Sequence, residues 1–525
     1  MVRPEPSLCL WIRPLQQGRS PPIMIAIHYL VAAVVIIGYC LLRRSRRPPG
    51  PYGLPLLGNV HQISRRYSWK QFQQWHKIYG PILSFRLGQI TVILLGNHEV
   101  AKELLTRRSA NYSSRPRLAV AGECIGKDFG AALLPYGNCW RQYHKIQMSF
   151  LSGPKSRLYR PLQELETRQL LSNLLSTSNF EAELYRFSSS LMFALLYGRR
   201  FVTGEESDLK QTEELATSAL QVVSFGNWIV DIFPVLNCLP HFLAKWKRVG
   251  DDFHNRRAVL YDNNVANALA RPSWNWSKQS FLHDAPSVSR KQLAFLLGEL
   301  YETGSHTTSG ALLVAILACV CYPQAMRSVQ DELEAHVGPD RLPSFDDFPN
   351  LPYTQSFVQE VLRWRPLAPG GVPHSPIKDD TFEGFHIPKG ATVIANHWSL
   401  DMDEDVFARP EEFMPERWIK NPDLPIAAFG FGRRTCPGQY LARNSILLVM
   451  SRLLWAYDIK WKEGKARSAE TIEMTHDGVF SKPSPFEATF TIRNSAREKM
   501  VREWRDSDDD AESILNMIGA GFPHQ

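Results

Sequence analysis

One stretch limits what this chain can be built around: Ala428 to Gly438, AFGFGRRTCPG. A structural thiol needs only an apolar hole. Here Gly430, Gly432 and Gly438 free the backbone on both sides of Cys436, and Arg433 and Arg434 place positive charge beside the sulfur. Pro437 suits a first helical position, and a helix N-terminus with free backbone N–H groups stabilises a thiolate. Gly438 has no Cβ, so a flat, bulky group can approach the sulfur, and Phe429 can lie over it. Two readings compete: a tight turn with an incidental cysteine, or a backbone cage for a thiolate. The Gly430-x-Gly432 pair is a poor dinucleotide loop, because Thr435 stands at the third glycine position.

The other bulk features restrict the setting. The chain has 525 residues, 44% of them hydrophobic, with 14 Trp, which supports a large buried core and excludes global disorder. A net charge of +8 is modest at this length, and no basic helix or zinc-finger spacing occurs, so nucleic acid is not an expected partner. The eight cysteines form no CxxC and no regular framework, which fits a reducing compartment. Residues 23–42, IMIAIHYLVAAVVIIGYCLL, hold no Asp, Glu, Lys or Arg. Twenty residues at about 1.5 Å each span a bilayer core of roughly 30 Å. RRSRRPPG follows at once, as a stop-transfer flank that keeps the rest of the chain cytosolic. Residues 1–22 form a Pro/Arg-rich extension, and Met24 is an alternative start.

The expected organisation is therefore an extension (1–22), a transmembrane anchor (23–42), a basic, proline-rich hinge (43–58), one large catalytic domain (59–495) and a polar tail (496–525) that carries the acidic run DSDDDAE and is read as mobile. Helical periodicity dominates, which predicts a mainly α fold with small β-sheets. Helices are expected over Arg290–Cys321, stopped by Pro323, over Leu351–Arg365, stopped by Pro366, and over Gly438–Ala456. Thr91–Leu95, Thr392–Ala395 and Thr489–Ile492 read as strands, and residues 262–290 as a loop.

Four ordered motifs then meet. Phe429-x-x-Gly432-x-Arg434-x-Cys436-x-Gly438 resembles the haem-binding signature of the cytochromes P450 at every position. Glu360-Val-Leu-Arg363 resembles the family's ExxR helix; alone it would be an ordinary i,i+3 surface pair. Pro415-Glu416-Arg417-Trp418 resembles its PERF segment, with Trp for Phe. Gly304-Ser305-His306-Thr307-Thr308 resembles its oxygen-activation segment, with His306 where an acid is usual; a mid-helix Thr otherwise bonds its own i−4 carbonyl. Trp140-Arg-Gln-Tyr-His144 is similar to the family's WxxxR, with His144 for Arg, and His374 stands where a propionate-binding residue is usual.

The resemblance implies the cytochrome P450 fold with haem b, Cys436 being the axial ligand of its iron. It implies that Arg434, Trp140, His144 and His374 hold the propionates, with Phe429 and Gly438 beside the sulfur. It also implies that Glu360, Arg363 and Arg417 form a buried structural network. Thr307 and His306 would serve proton delivery, with Glu302 as a weaker substitute acid. The implied reaction is insertion of one oxygen atom from O2 into an apolar or aromatic small molecule. Electrons would come from NADPH through a membrane-bound NADPH–cytochrome P450 reductase, because the chain carries no flavin motif; Lys145, Arg433 and Arg443 are docking candidates. The substrate lining is expected from Arg117–Ile125, Leu293–Thr303, Leu367–Val372 and Gly478–Phe480. The microsomal type and the look of GVPHSPIKDD are similar to fungal enzymes of secondary metabolism, single-pass in the endoplasmic reticulum membrane. Two alternatives stay open: ring closure, coupling, desaturation or rearrangement without net oxygen insertion, which His306 favours, and a haem-binding protein without turnover.

Overall fold

A computed structural model describes residues 47–222, 228–283, 288–475, 479–505 and 510–522, with Ile27 and Val31. The expected anchor over 23–42, those two residues apart, and the extension over 1–22 lie outside the described residues. The chain divides into two compact units. One comprises residues 1–47 with Thr381–His386, where β3 (Asp380–Phe382) and β4 (Phe385–Ile387) are joined across Glu383 and Gly384. The other, residues 48–380 with 387–525, holds everything that follows.

Its axis is the helix Arg290–Cys321, 32 residues long and bounded by local chemistry. Ser289 caps it in a capping box: its hydroxyl accepts the Gln292 N–H while Gln292 Oε1 accepts the Ser289 N–H. Pro323 opens the next helix, Pro323–His336, and prevents continuation. The helix is apolar enough to span a membrane, yet 78% of its most apolar window is buried inside the protein, so it is the core helix. Phe180–Tyr197 packs along it, and the Ser188 hydroxyl donates to the Ser305 carbonyl at 2.8 Å to fix their register. Lys245–Ala270 and Gln439–Ala456 pack on other faces.

The β structure is small. β1 (Ile82–Leu87) runs antiparallel to β2 (Ile90–Leu95), and β2 pairs in parallel with β5 (Thr392–Ala395), Val92 facing Thr392. β6 (Tyr457–Trp461) and β7 (Ala488–Ile492) form an antiparallel pair. The mainly α architecture with small sheets is as expected.

Two expectations are corrected. The described residues of 262–290 are largely helical rather than a loop. Lys245–Ala270 continues through 270, Pro272 ends it, and Trp276–His283 is a further helix. Asn275 Oδ1 accepts the Lys278 N–H at its start, and Trp276 is fully buried. The tail is helical where it is described. Ser495–Arg505 and Ala511–Ala520 are helices, and Val501, Leu515, Ile518 and Phe522 are buried. Phe522 lies 4.7 Å from Trp274, ring to ring, so the last turn closes over the helical core.

Candidate active site

The Cys436 segment is held by its own backbone. Gly432 has φ +58°, and a Cβ there would lie 2.0 Å from the Leu105 carbonyl oxygen, so only glycine fits. Gly430 has φ +71° with nothing closer than 3.9 Å. These two turns let the Cys436 N–H bond the Phe429 carbonyl at 2.8 Å. Gly438 caps the helix Gln439–Ala456, one residue later than read from sequence, because Pro437 and Gly438 turn into it. A Cβ on Gly438 would stand 3.9 Å from Cys436 Sγ. Burial pushes the Cys436 thiol up, and the Gly438 N–H bonding the sulfur pulls it back. A cation above the sulfur would complete what the backbone begins.

Cys436, Phe429 and Gly438 form one wall of an interior cavity of about 310 Å³. The central helix forms another, presenting Leu300, Thr303, Gly304, Thr307 and Ala311. Thr307 Oγ1 donates to the Thr303 carbonyl at 2.7 Å, the bond expected of a mid-helix threonine, and still faces the cavity.

One side of the cavity is cationic. Arg434 donates to the carbonyls of Ser113 (2.7 Å), Ala131 (3.2 Å) and Leu134 (2.6 Å), and its guanidinium lies 4.4 Å from the Trp140 ring centroid. Trp140 stacks on His144 at 4.8 Å and 11°. His374 is buried; its Nδ1 donates to the Tyr112 carbonyl at 2.9 Å, leaving Nε2 as the second polar atom of the ring. Arg115 was not read from the sequence. It donates to the carbonyls of Ala132, Val372 and Pro373 and lines the same wall. Neither arginine forms an ion pair among the described residues, although Glu299 attracts Arg434. Burial, with Arg434 repelling it, brings Arg115 down to about 9, and burial brings Arg434 to about 10. Burial and the neighbouring arginines hold His374 well below its usual range, and burial with Arg434 lowers His144. Buried cations without a directly paired counterion are costly. The set suits a ligand that brings its own acid groups.

A second buried network braces the cysteine loop. Glu360 and Arg363 are fully buried on the helix Pro352–Trp364, and their fork is bidentate at 2.7 and 2.9 Å. Arg417 Nε (3.1 Å), Trp418 Nε1 (2.8 Å) and the Met414 N–H (3.0 Å) also donate to the Glu360 carboxylate. Arg363 reaches on to the Asp401 carbonyl at 2.8 Å, and the Asp401 carboxylate accepts the Ala427 N–H at 3.2 Å. Ala427 is two residues before Phe429, so the network reaches the base of the loop.

Some candidates do not meet the cavity. His306 does not line it; its ring lies 5.0 Å from Tyr185, its Nε2 has no partner among the described residues, and burial lowers it to about 4. His306 turns to the side where Tyr185 packs, whereas Thr307 and Thr308 face the cavity. Glu302 is not a free acid: it pairs with Arg257 at 2.6 Å and accepts the Tyr261 hydroxyl. Arg117–Ile125 contributes nothing to the lining; Arg117 turns to Glu123, and the Val120 N–H to Asp231. Leu293–Thr303 contributes only Glu299, Leu300 and Thr303, whereas Leu367, Ala368, Val372 and Phe480 do line the cavity; Gly478 lies outside the described residues. Ser188, Leu191 and Met192, unforeseen, close it from the neighbouring helix. Of the docking candidates, Lys145 and Arg433 are exposed, Arg433 bonding the Tyr136 hydroxyl. Arg443 donates to Gln359 at 2.8 Å and lies over the Phe429 ring.

The family model for cytochrome P450 matches residues 48–490. The chain is 44% identical to the cytochrome P450 monooxygenase aneD of Aspergillus aculeatus, over 92% of this chain and 95% of that one. It is 41% identical to the cytochrome P450 monooxygenase FrzL of a Cladobotryum species, over 94% and 98%. It is 36% identical to the echilunin cytochrome P450 monooxygenase of Aspergillus ruber, over 98% of both. The family implies a haem ligated by a cysteine thiolate, and the residues found here fit it: a sulfur with room beside it, and two buried arginines without an ion-pair partner among the described residues. By that match and by those identities across nearly its whole length, the chain belongs to the cytochrome P450 family of monooxygenases.

Proposed function

We propose that the chain inserts one oxygen atom from O2 into an apolar or aromatic small molecule in fungal secondary metabolism. Electrons come from NADPH through a reductase, and the chain is held at the endoplasmic reticulum membrane by residues 23–42. The observation that carries this is one cavity with the Cys436 sulfur on one wall and the Thr307 face of the central helix on another. Cys436 Sγ would hold haem iron, with Arg434, Arg115 and His374 taking the propionates and Trp140 and His144 stacked behind them. When bound, the haem supplies the activation of dioxygen.

The chain's own contributions are positional. Phe429 and the apolar lining keep water from the sulfur. The Thr307 hydroxyl, now donated to Thr303, can rotate into the cavity and hold a proton at Oγ1. His306 takes no part in this, because it faces Tyr185. Lys145 and Arg433 offer exposed positive charge for the reductase.

Reduced protein under carbon monoxide tests this directly. The red-shifted Soret band of a cysteinate-bound haem is expected, and Cys436→Ala abolishes it. Turnover with a reductase then gives one O2 and one NADPH per oxygenated product. A product formed without that stoichiometry favours rearrangement or coupling, and absence of the band refutes the reading.

A further inference from the structure

We infer that Glu299 is the polar anchor of the substrate cavity, taking a protonated amine or a comparable N–H donor on an otherwise apolar or aromatic substrate. This rests on the proposed function, in that it takes the cavity as the substrate chamber, and it names the substrate's polar group.

Glu299, Thr303 and Thr307 recur at i, i+4 and i+8 on the central helix, and all three line the cavity. The hydroxyls tie the row together: Thr303 Oγ1 donates to the Glu299 carbonyl at 2.8 Å, as Thr307 does to Thr303. Eight residues at 1.5 Å each place Glu299 about 12 Å along the helix from Thr307. That separation suits the length of a two-ring molecule, with its polar end at Glu299 and its reacting end near Thr307.

Glu299 is the one carboxylate among the described residues of the lining. Its Oε2 accepts the Ala131 N–H at 2.6 Å and its Oε1 the Ala132 N–H at 3.1 Å. A carboxylate has about four acceptor sites, so these two bonds leave room for more. Glu299 forms no ion pair among the described residues, although Arg257 attracts it. Arg434 lies across one peptide, bonded to the Ala131 carbonyl, and it attracts the Glu299 carboxylate without pairing with it. Burial lifts the Glu299 carboxyl to about 6, so at neutral pH it is an ionised group with unmet acceptor capacity, in contact with an apolar chamber. An incoming cation would relieve that cost.

A purely structural Glu299 would only latch the 131–132 segment. The two readings differ in what they do to charge. The holoenzyme is titrated with the N,N-dimethyl-6-phenylhexylammonium ion and with its neutral isostere, 2-methyl-8-phenyloctane, by calorimetry and by the Soret band. Wild-type protein is expected to bind the cation about tenfold or more tightly than the isostere, the size of a charge-assisted bond. Glu299→Gln removes that ratio, whereas Glu299→Asp keeps it. A wild-type ratio near one, a ratio retained in Glu299→Gln, or equal losses of both probes refutes the anchor. If Glu299→Gln does not load haem, the wild-type ratio and Glu299→Asp decide. Failure of the haem-thiolate reading shows separately, as a missing carbon monoxide band in the wild type.

Discussion

Glu360→Gln tests the buried brace most directly. In the wild type five donors converge on two oxygens: Arg363 Nη2, Arg417 Nε and the Met414 N–H on Oε1, Arg363 Nε and Trp418 Nε1 on Oε2. Glutamine keeps the shape but offers one oxygen and turns an amide nitrogen toward at least two of those donors. It also leaves two guanidinium groups at the fold's centre with no countercharge; Arg363 is fully buried and Arg417 8% exposed. Stranding a buried charge costs about 3–5 kcal/mol, against a total stability of about 5–15 kcal/mol. The expected result is a urea midpoint lowered by roughly 1 M or more, with lower haem content, because Arg363 holds Asp401, which holds Ala427 before the cysteine loop. The control is Glu404→Gln. Glu404 pairs with Lys77 at 3.3 Å on the surface, both partners largely exposed, and its loss is expected to cost under about 0.5 kcal/mol. If Glu360→Gln unfolds within that same margin, the network does not brace the loop.

Three further outcomes follow from particular atoms. Gly432→Ala forces a Cβ against the Leu105 carbonyl at positive φ and is expected to abolish haem uptake, whereas Gly430→Ala, with open space around it, loses only about 1–2 kcal/mol of conformational energy; equal haem content in the two refutes the argument. His306→Ala is expected to leave the turnover rate within about twofold, while Thr307→Ala lowers it by about 10²-fold, measured as product formed with reductase and NADPH; a larger loss at His306 returns it to the proton route. Acid lowers stability. Burial holds His76, His306 and His397 near 4, so the fold keeps them neutral while the unfolded chain binds protons below 6.5. The stability they contribute is complete above pH 6.5 and falls as pH drops toward 4, by up to about 3 kcal/mol each. His306→Phe, keeping a ring against Tyr185, is expected to flatten that slope between pH 6.5 and 4.5 in urea titrations, and an unchanged slope refutes it.

What could be read in advance was what local chemistry dictates. The bounds of Arg290–Cys321 follow from Ser289, Gln292 and Pro323, all within a turn of the helix ends. Thr392–Ala395 is short, β-branched at three of its four positions and buried at all four. The cysteine loop carries its own glycines. The acidic run dominates the tail's composition and masks its helical signal, although Leu515, Ile518 and Phe522 stand at i, i+3 and i+7. Likewise, Asn275 before Trp276 was a helix cap in a stretch read as loop because of Pro272 and its serines.

Direction is what the motifs could not carry. His306 and Thr307 are neighbours in a matched segment, yet one turns to Tyr185 and the other to the cavity. Glu299 and Glu302 lie three apart on the same helix, and the choice between them is made by partners from distant segments. Arg257 and Tyr261 occupy Glu302, while the backbone of Ala131 and Ala132 draws Glu299 to the chamber. Arg115 escaped notice for the same reason: three carbonyls remote in sequence, at 132, 372 and 373, aim it. A motif fixes which residues occupy a helix, and the packing of neighbouring elements decides which of them can touch a substrate. The acid of this cavity therefore stands two turns before the threonine, outside the segment that resembled the family's own.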